Sequence, residues 1–196
     1  MKKATSRKKI TRKDEGRRTL SARKPAQPAM ASGTPAATIH CTLARTGKWS
    51  MVLPTSAIAE ITDYAPPAPL ENTPDWLLGQ VEWEDWQVPV ISYGALIDGD
   101  APESATAQSR IMVVKSLSSA ARVPFIGVMV RDIPRLASLS ESDMEVTGNA
   151  GHSLGVHCKV KVSGQDGVIP DLDRLGQLIG HAAYGRAEKD VPPANA

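Results

Sequence analysis

Residues 71–92 read ENTPDWLLGQVEWEDWQVPVIS and hold three of the chain's four tryptophans, Trp76, Trp83 and Trp86, in a protein with one Phe and three Tyr. Glu71, Asp75, Glu82, Glu84 and Asp85 surround them. Val81 and Trp83 share one parity; Trp86, Val88 and Val90 share the other. Strand side chains alternate between faces, so the phase change at Glu84-Asp85 predicts a two-residue turn that sets Trp83 directly opposite Trp86. An opposed aromatic pair adds roughly 0.2–1 kcal/mol over Ala–Ala. Glu-Asp is a poor pair for positive φ, which keeps a longer loop open as the alternative. Pro89 has no N–H to give a ladder and predicts an edge strand or a bulge, with an open edge beside two tryptophans.

Outward from this hairpin the signals stay mostly β. TIHCTL (38–43) alternates, KWSMVLP (48–54) is a second short run, and RIMVVK (110–115) and VPFIGVMVRDI (123–133) form another hairpin joined by SLSSAAR. In SLGVHCKVKV (153–162) Leu154, Val156, Cys158, Val160 and Val162 fall on one face and His157, Lys159 and Lys161 on the other. TSAIAEI (55–61) reads as a short helix capped by Thr55 or Ser56, with Ile58 and Ile61 on one face. DLDRLGQLI (171–179) reads as a second, capped by Asp171, with Leu172, Leu175, Leu178 and Ile179 as its apolar stripe. YAPPAPLENTP (64–74) is extended connector. Short strands at turn-spaced intervals with two brief helices predict an all-β barrel protein.

The net charge of +2 conceals an asymmetry. Residues 1–24 carry eleven Lys/Arg against Asp14 and Glu15, while the other 172 residues carry twelve Lys/Arg against nineteen Asp/Glu. A basic tail, residues 1–37, therefore precedes an acidic body, and its low apolar content predicts disorder. A phosphate-binding arm and a transit peptide are its sharper readings, and a start at Met30 would remove it. The folded body is expected over 38–181, with a loose tail over 182–196. No apolar run reaches the roughly 18–20 residues of a membrane span. Cys41 and Cys158 sit alone in strand-like runs, where reduced buried thiols are expected, and the compartment reads as cytoplasmic.

Catalytic signatures find no support. No GxxxxGK, strand–GxGxxG–helix or GxSxG motif is present. His40, His152, His157 and His181 are scattered without metal-ligand spacing, so no metal and no cofactor is expected. His157 and Cys158, as neighbours on a strand, point to opposite faces, which is wrong for a nucleophile–base pair. Acids around Trp83 and Trp86 repel phosphate, which argues against a nucleic-acid face there. Two readings of the tryptophans remain: core, which suits Trp76 in its apolar DWLLG setting, and docking surface, which suits Trp83 and Trp86 at an acidic hairpin tip.

NTPDWLLGQVEWEDWQVPVIS resembles the segment of CheW-like chemotaxis adaptors that runs from an N/A-x-P–aromatic turn to V-P-V-hydrophobic. SAIAEITDY resembles that family's short helix ending in Val/Ile-x-Glu-Ile, with Glu60 as its acid; RIMVVK…VPFIGVMVRDI resembles its paired strands, and GVIPDLDRLGQLI its closing strand and helix. The resemblance covers roughly residues 38–181. It implies two SH3-like five-stranded β-barrels around a shared core, no catalytic activity, and a link between the regulatory domain of a CheA-type histidine kinase and the cytoplasmic tips of methyl-accepting receptors. Partner-binding residues then map to Ile58, Glu60, Glu82, Trp83, Glu84, Asp85 and Trp86.

Departures from the pattern point to a divergent role. Where the family's turn reads N-L-R-G, this chain has Glu82, Trp83, Glu84 and Asp85; Ser92 and Arg131 stand where the family has Asp. Arg131 is therefore expected to neutralise Glu60. The implied setting is an accessory adaptor of a chemosensory system controlling type IV pili and twitching motility. The alternative from another class is a small β-barrel nucleic-acid-binding protein using its basic tail, against which the acidic body counts.

Overall fold

The computed structural model describes residues 38–117, 123–149 and 154–185; the basic tail, His152 and residues 118–122 of SLSSAAR lie outside them. Eleven strands form two sheets. The chain enters through β1 (Ile39–Thr46) and β2 (Trp49–Pro54), then builds β3 (Ile58–Asp63), β4 (Leu77–Trp83), β5 (Trp86–Ile91), β6 (Arg110–Lys115) and β7 (Phe125–Val130). It returns through β8 (Arg135–Leu139), β9 (Met144–Asn149), β10 (Val156–Val162) and β11 (Gln165–Pro170). Helix α1 (Tyr93–Asp98) follows β5, and α2 (Leu172–Tyr184) closes the described chain. One sheet has the order β8-β1-β2-β11-β10-β9, the other β3-β6-β7-β5-β4.

Alternation along these strands sorts the apolar residues into three clusters. Cys41, Val52, Leu139, Val160 and Val162 fill the inside of the six-stranded sheet, joined by Met144 and Cys158. Leu139 of β8 and Met144 of β9 come from opposite ends of the strand order yet pack in one cluster, so the sheet curls upon itself. Val88, Val90, Ile111, Val113 and Met129 fill the inside of the five-stranded sheet. Between them lies the largest cluster, including Met51, Leu53, Ile91, Tyr93, Met112, Val128 and Ile179. This is the expected all-β plan with a shared core, except that one sheet carries six strands.

The local differences have physical causes. TSAIAEI is not a helix: a 3-10 turn at Thr55–Ala57 leads directly into β3, where β-branched Ile58, Ile61 and Thr62 pair with β6. Ile58 and Ile61 still share a face, because a register shift between Ile58 and Glu60 sets them opposite Val114 and Met112. A similar shift between Val156 and Cys158 sends Val156 to the shared core and Cys158 to the six-stranded interior, so the expected single stripe is split, and Leu154 precedes the strand and is exposed. The second helix is capped by Asp171, whose carboxylate accepts the Arg174 N–H at 3.0 Å. It runs past Ile179 to Tyr184, because Ala182, Ala183 and Tyr184 still pack on the core. Residues 182–184 are thus helix, where loose tail was expected, and residues 186–196 lie outside the described chain.

Candidate functional site

Trp83 and Trp86 are paired directly across β4 and β5, with Glu84-Asp85 as a two-residue turn. Both turn residues take left-handed φ, 46° and 65°, the signature of a type I′ hairpin. The poor turn chemistry of Glu-Asp did not lengthen the loop; the tight turn instead holds two acids in a conformation that Asn and Gly adopt more readily. Pro89 does not mark an edge strand, because β5 lies between β4 and β7. Its partner on β4 is Gln80, whose N–H and C=O both turn outward to Ala68 at 2.8 Å, so the Gln80–Pro89 pair exchanges no hydrogen bond. Pairing with β7 starts only at Val90, which leaves the missing Pro89 N–H without a ladder position to fill. The edge strand is β4.

Close approach of that edge to the preceding connector depends on Gly79. Its φ is +134°, and a Cβ there would stand 2.2 Å from the Ala68 carbonyl oxygen, so only glycine permits the Ala68–Gln80 bridge. Leu77, next to it, is buried in the shared core, while half-buried Trp76 packs against that core. Trp76 is therefore a packing residue, as its apolar setting predicts.

At the tip, the Trp83 indole N–H donates to Glu60 Oε2 at 2.6 Å. This single contact joins β4 to β3, the two ends of the five-stranded order. Phe125 of β7 stands beneath the pair, edge-on to Trp83 at 4.9 Å and to Trp86 at 5.8 Å. The result is an aromatic trio at the mouth of the sheet, half-buried at Trp83 and Phe125 and open at Trp86, which is 49% exposed. Glu60, Glu82, Glu84 and Asp85 are all exposed around it. The structure therefore brings six of the seven sequence-derived residues to one hairpin tip, although Glu82, beside Trp83 on β4, points to the opposite face of the strand. Ile58 is the exception, because it packs half-buried against the shared core on the other face of β3.

Phe125 is the member of this constellation that sequence reasoning missed. Its signal was its uniqueness: the chain's only Phe opens a strand whose inward parity continues through Gly127 and Met129. Lys115, paired with Phe125 across β6 and β7, donates its ammonium to the Ser56 carbonyl at 3.3 Å. The expected Arg131–Glu60 pairing is overturned. Arg131 Nη1 lies 3.4 Å from Glu103 Oε1, and Glu103 Oε2 accepts the Gly47 N–H at 3.0 Å. The loop that follows α1 thus supplies Arg131's counter-charge, while a different neighbour, Trp83, engages Glu60.

Elsewhere, among the described residues, one buried side-chain polar atom, the Ser116 hydroxyl, has no hydrogen-bond partner. Tyr93, fully buried, donates to the Gly155 carbonyl at 2.9 Å, and burial first, then the charge of Asp171, pushes its phenol far above the ordinary tyrosine range. Burial also raises the thiols of Cys41 and Cys158, both free. Among the described residues no three His, Cys, Asp or Glu side chains are grouped to hold a metal, and no helix is long and apolar enough to cross a membrane.

The model of the CheW-like domain family matches residues 40–179. Fourteen chains of solved structures match the fold. Among them is the scaffolding protein TtCheW from Thermoanaerobacter tengcongensis, with a TM-score of 0.56 and 15% sequence identity over 69% of this chain and 90% of that one. No curated protein matches the chain.

Proposed function

Because the chain belongs to the CheW-like domain family, we propose that it is a non-catalytic cytoplasmic adaptor of a chemosensory pathway. In this reading it couples the cytoplasmic tips of methyl-accepting receptors to the regulatory domain of a CheA-type histidine kinase. Docking uses the hairpin tip formed by Glu60, Glu82, Trp83, Glu84, Asp85 and Trp86, with Ile58 supporting it from the core side. The observation that carries the assignment of this tip is the Glu60–Trp83 hydrogen bond, which makes two chain segments 23 residues apart into one surface around an exposed tryptophan. Tryptophan is over-represented among interface hot spots, and an exposed one in a water-accessible acidic rim has the anatomy of a docking anchor.

The acids at the turn, where the family's pattern has an arginine, support a divergent system, for which pilus-driven twitching is the output proposed. Calorimetric titration of the purified protein with a CheA-type regulatory domain and with a receptor tip tests the adaptor role. Binding is expected to both, with Trp86→Ala weakening one of them by about tenfold or more. A protein that binds neither overturns the reading. A deletion strain that twitches normally would remove the pilus output and leave the adaptor role intact.

A further inference from the structure

Two tryptophans of this protein hand their indole N–H to a carboxylate, and among the described residues only one of the two sites has its cation. Trp49 donates to both oxygens of Asp98, at 3.1 and 3.0 Å. Lys48 pairs with that same carboxylate at 3.0 Å, and the ammonium groups of Lys48 and Lys159 stand 5.7 and 5.0 Å from the Trp49 ring. Carboxylate, indole and cation are all supplied by the chain.

At the hairpin tip the first two parts recur, and the described residues do not supply the third. Trp83 donates to Glu60 Oε2, and among the described residues no cation lies within ion-pair distance of Glu60, Glu82, Glu84 or Asp85. Lys115, on the same face of β6 as Val113, is held by the Ser56 carbonyl. Glu60 and the turn acids Glu84 and Asp85 thus gather at an aromatic trio, with Glu82 on the other face of β4, and no described residue supplies their counter-charge, although like charges gathered in this way repel one another. Aromatic faces add to the same demand, because their quadrupole attracts cations.

We propose that the missing cation is an arginine carried by a basic segment of the protein partner, seated between Glu60 and Trp86. This deepens the docking reading above and rests on it. Arginine fits both halves of the site: its planar guanidinium stacks on an indole, and its fork of donors reaches the Glu60 oxygen that Trp83 leaves unused. Glu82, Glu84 and Asp85 then attract further basic residues and raise the rate of encounter. The occupant is a protein segment because the site is an exposed hairpin tip at a sheet edge, and polyanions such as nucleic acid are repelled by its charge.

The test titrates the full chain with a synthetic peptide bearing arginines at alternate positions, and with versions in which lysine or glutamine replaces every arginine. The arginine peptide is expected to bind best, with affinity falling as salt is added. Trp86→Ala, and separately the double reversal Glu84→Lys with Asp85→Lys, should each weaken it by about tenfold or more. Glu82→Lys repeats the reversal outside the turn, should the double variant fold poorly. Equal binding of the lysine or glutamine peptide, or binding indifferent to these substitutions, overturns the proposal. Receptor or kinase binding that ignores Trp86→Ala and Glu82→Lys would also overturn it while leaving the adaptor role standing. Arginine-peptide binding by a protein that binds neither kinase nor receptor would uphold it and sink the adaptor role.

Discussion

Trp83 and Trp86 are equivalent in sequence, both flanked by acids at one hairpin tip, yet they do different work. Trp83 is half-buried on Phe125 and tied to Glu60, whereas Trp86 is half in solvent. Trp83→Ala should therefore cost about 2 kcal/mol of stability, by loss of packing and of an edge-to-face contact. Trp86→Ala should cost less than Trp83→Ala, since about half of its surface is already in solvent and only its edge contact with Phe125 is lost beside that burial. A double-mutant cycle between Glu60→Ala and Trp83→Phe should show coupling of roughly 0.5–1.5 kcal/mol, the worth of a partly exposed charge-assisted hydrogen bond. Additive effects would mean the two side chains do not meet in solution. This division was illegible in sequence: parity gives the face, and nothing in parity reports a partner 23 residues away on another strand. The family resemblance alone put Glu60 near the turn.

Tyr93 supplies the pH prediction at the same scale. Its phenol is held neutral by burial, so its folded pKa lies above the unfolded value of about 10. Above that value the unfolded chain releases a proton that the folded chain retains. Stability is therefore fully present below about pH 10 and declines as pH rises toward the raised folded value. Urea midpoints measured from pH 8 to 11 should fall at the alkaline end, and Tyr93→Phe should flatten that fall while losing the Gly155 hydrogen bond at every pH. An unchanged alkaline slope in Tyr93→Phe would place the titrating group elsewhere.

Among elements, the hairpin was the most legible and is also the most strained. Alternation on two short strands, with a phase change between them, was sufficient to fix the Trp83–Trp86 register. The elements that escaped were those whose pattern is weak for a physical reason. β8 and β9 are edge strands with one wet side, so their large side chains Leu136 and Val146 are exposed and mimic loop. TSAIAEI has helical spacing only because a bulge in β3 reproduces a three-residue repeat. Helix α1 is too short to show a period. At the turn itself, two non-glycine residues in left-handed conformation each cost about 1 kcal/mol. Replacing them with Asn-Gly, as Glu84→Asn with Asp85→Gly, should raise stability by about 1–2 kcal/mol and weaken binding of a basic partner. A gain in stability without any loss of binding would mean that the acids are not retained for docking. A loss of stability would contradict the type I′ geometry.

At the scale of the whole molecule, the path of the chain decides how it unfolds. It builds the first two strands of one sheet, all five of the other, and then returns to finish the first, so neither sheet is a continuous segment. The shared cluster draws Met51 and Leu53 from one sheet, Ile91, Met112 and Val128 from the other, and Leu175 and Ile179 from α2. Exposing that cluster would forfeit roughly 1.5–3 kcal/mol for each large side chain, more than either small interior cluster restores by itself. The two sheets should therefore melt together. Trp49 and Trp76 pack against the shared core, while Trp83 and Trp86 report the five-stranded sheet, and far-ultraviolet circular dichroism, dominated by β-structure, reports both sheets. In a variant carrying Trp49→Phe and Trp76→Phe, fluorescence follows only the five-stranded sheet. Its urea midpoint should coincide with that of circular dichroism on the same variant, as two-state unfolding requires. A fluorescence transition clearly displaced from the dichroism would show that the five-stranded sheet opens separately and that the shared core is an interface between independent folding units.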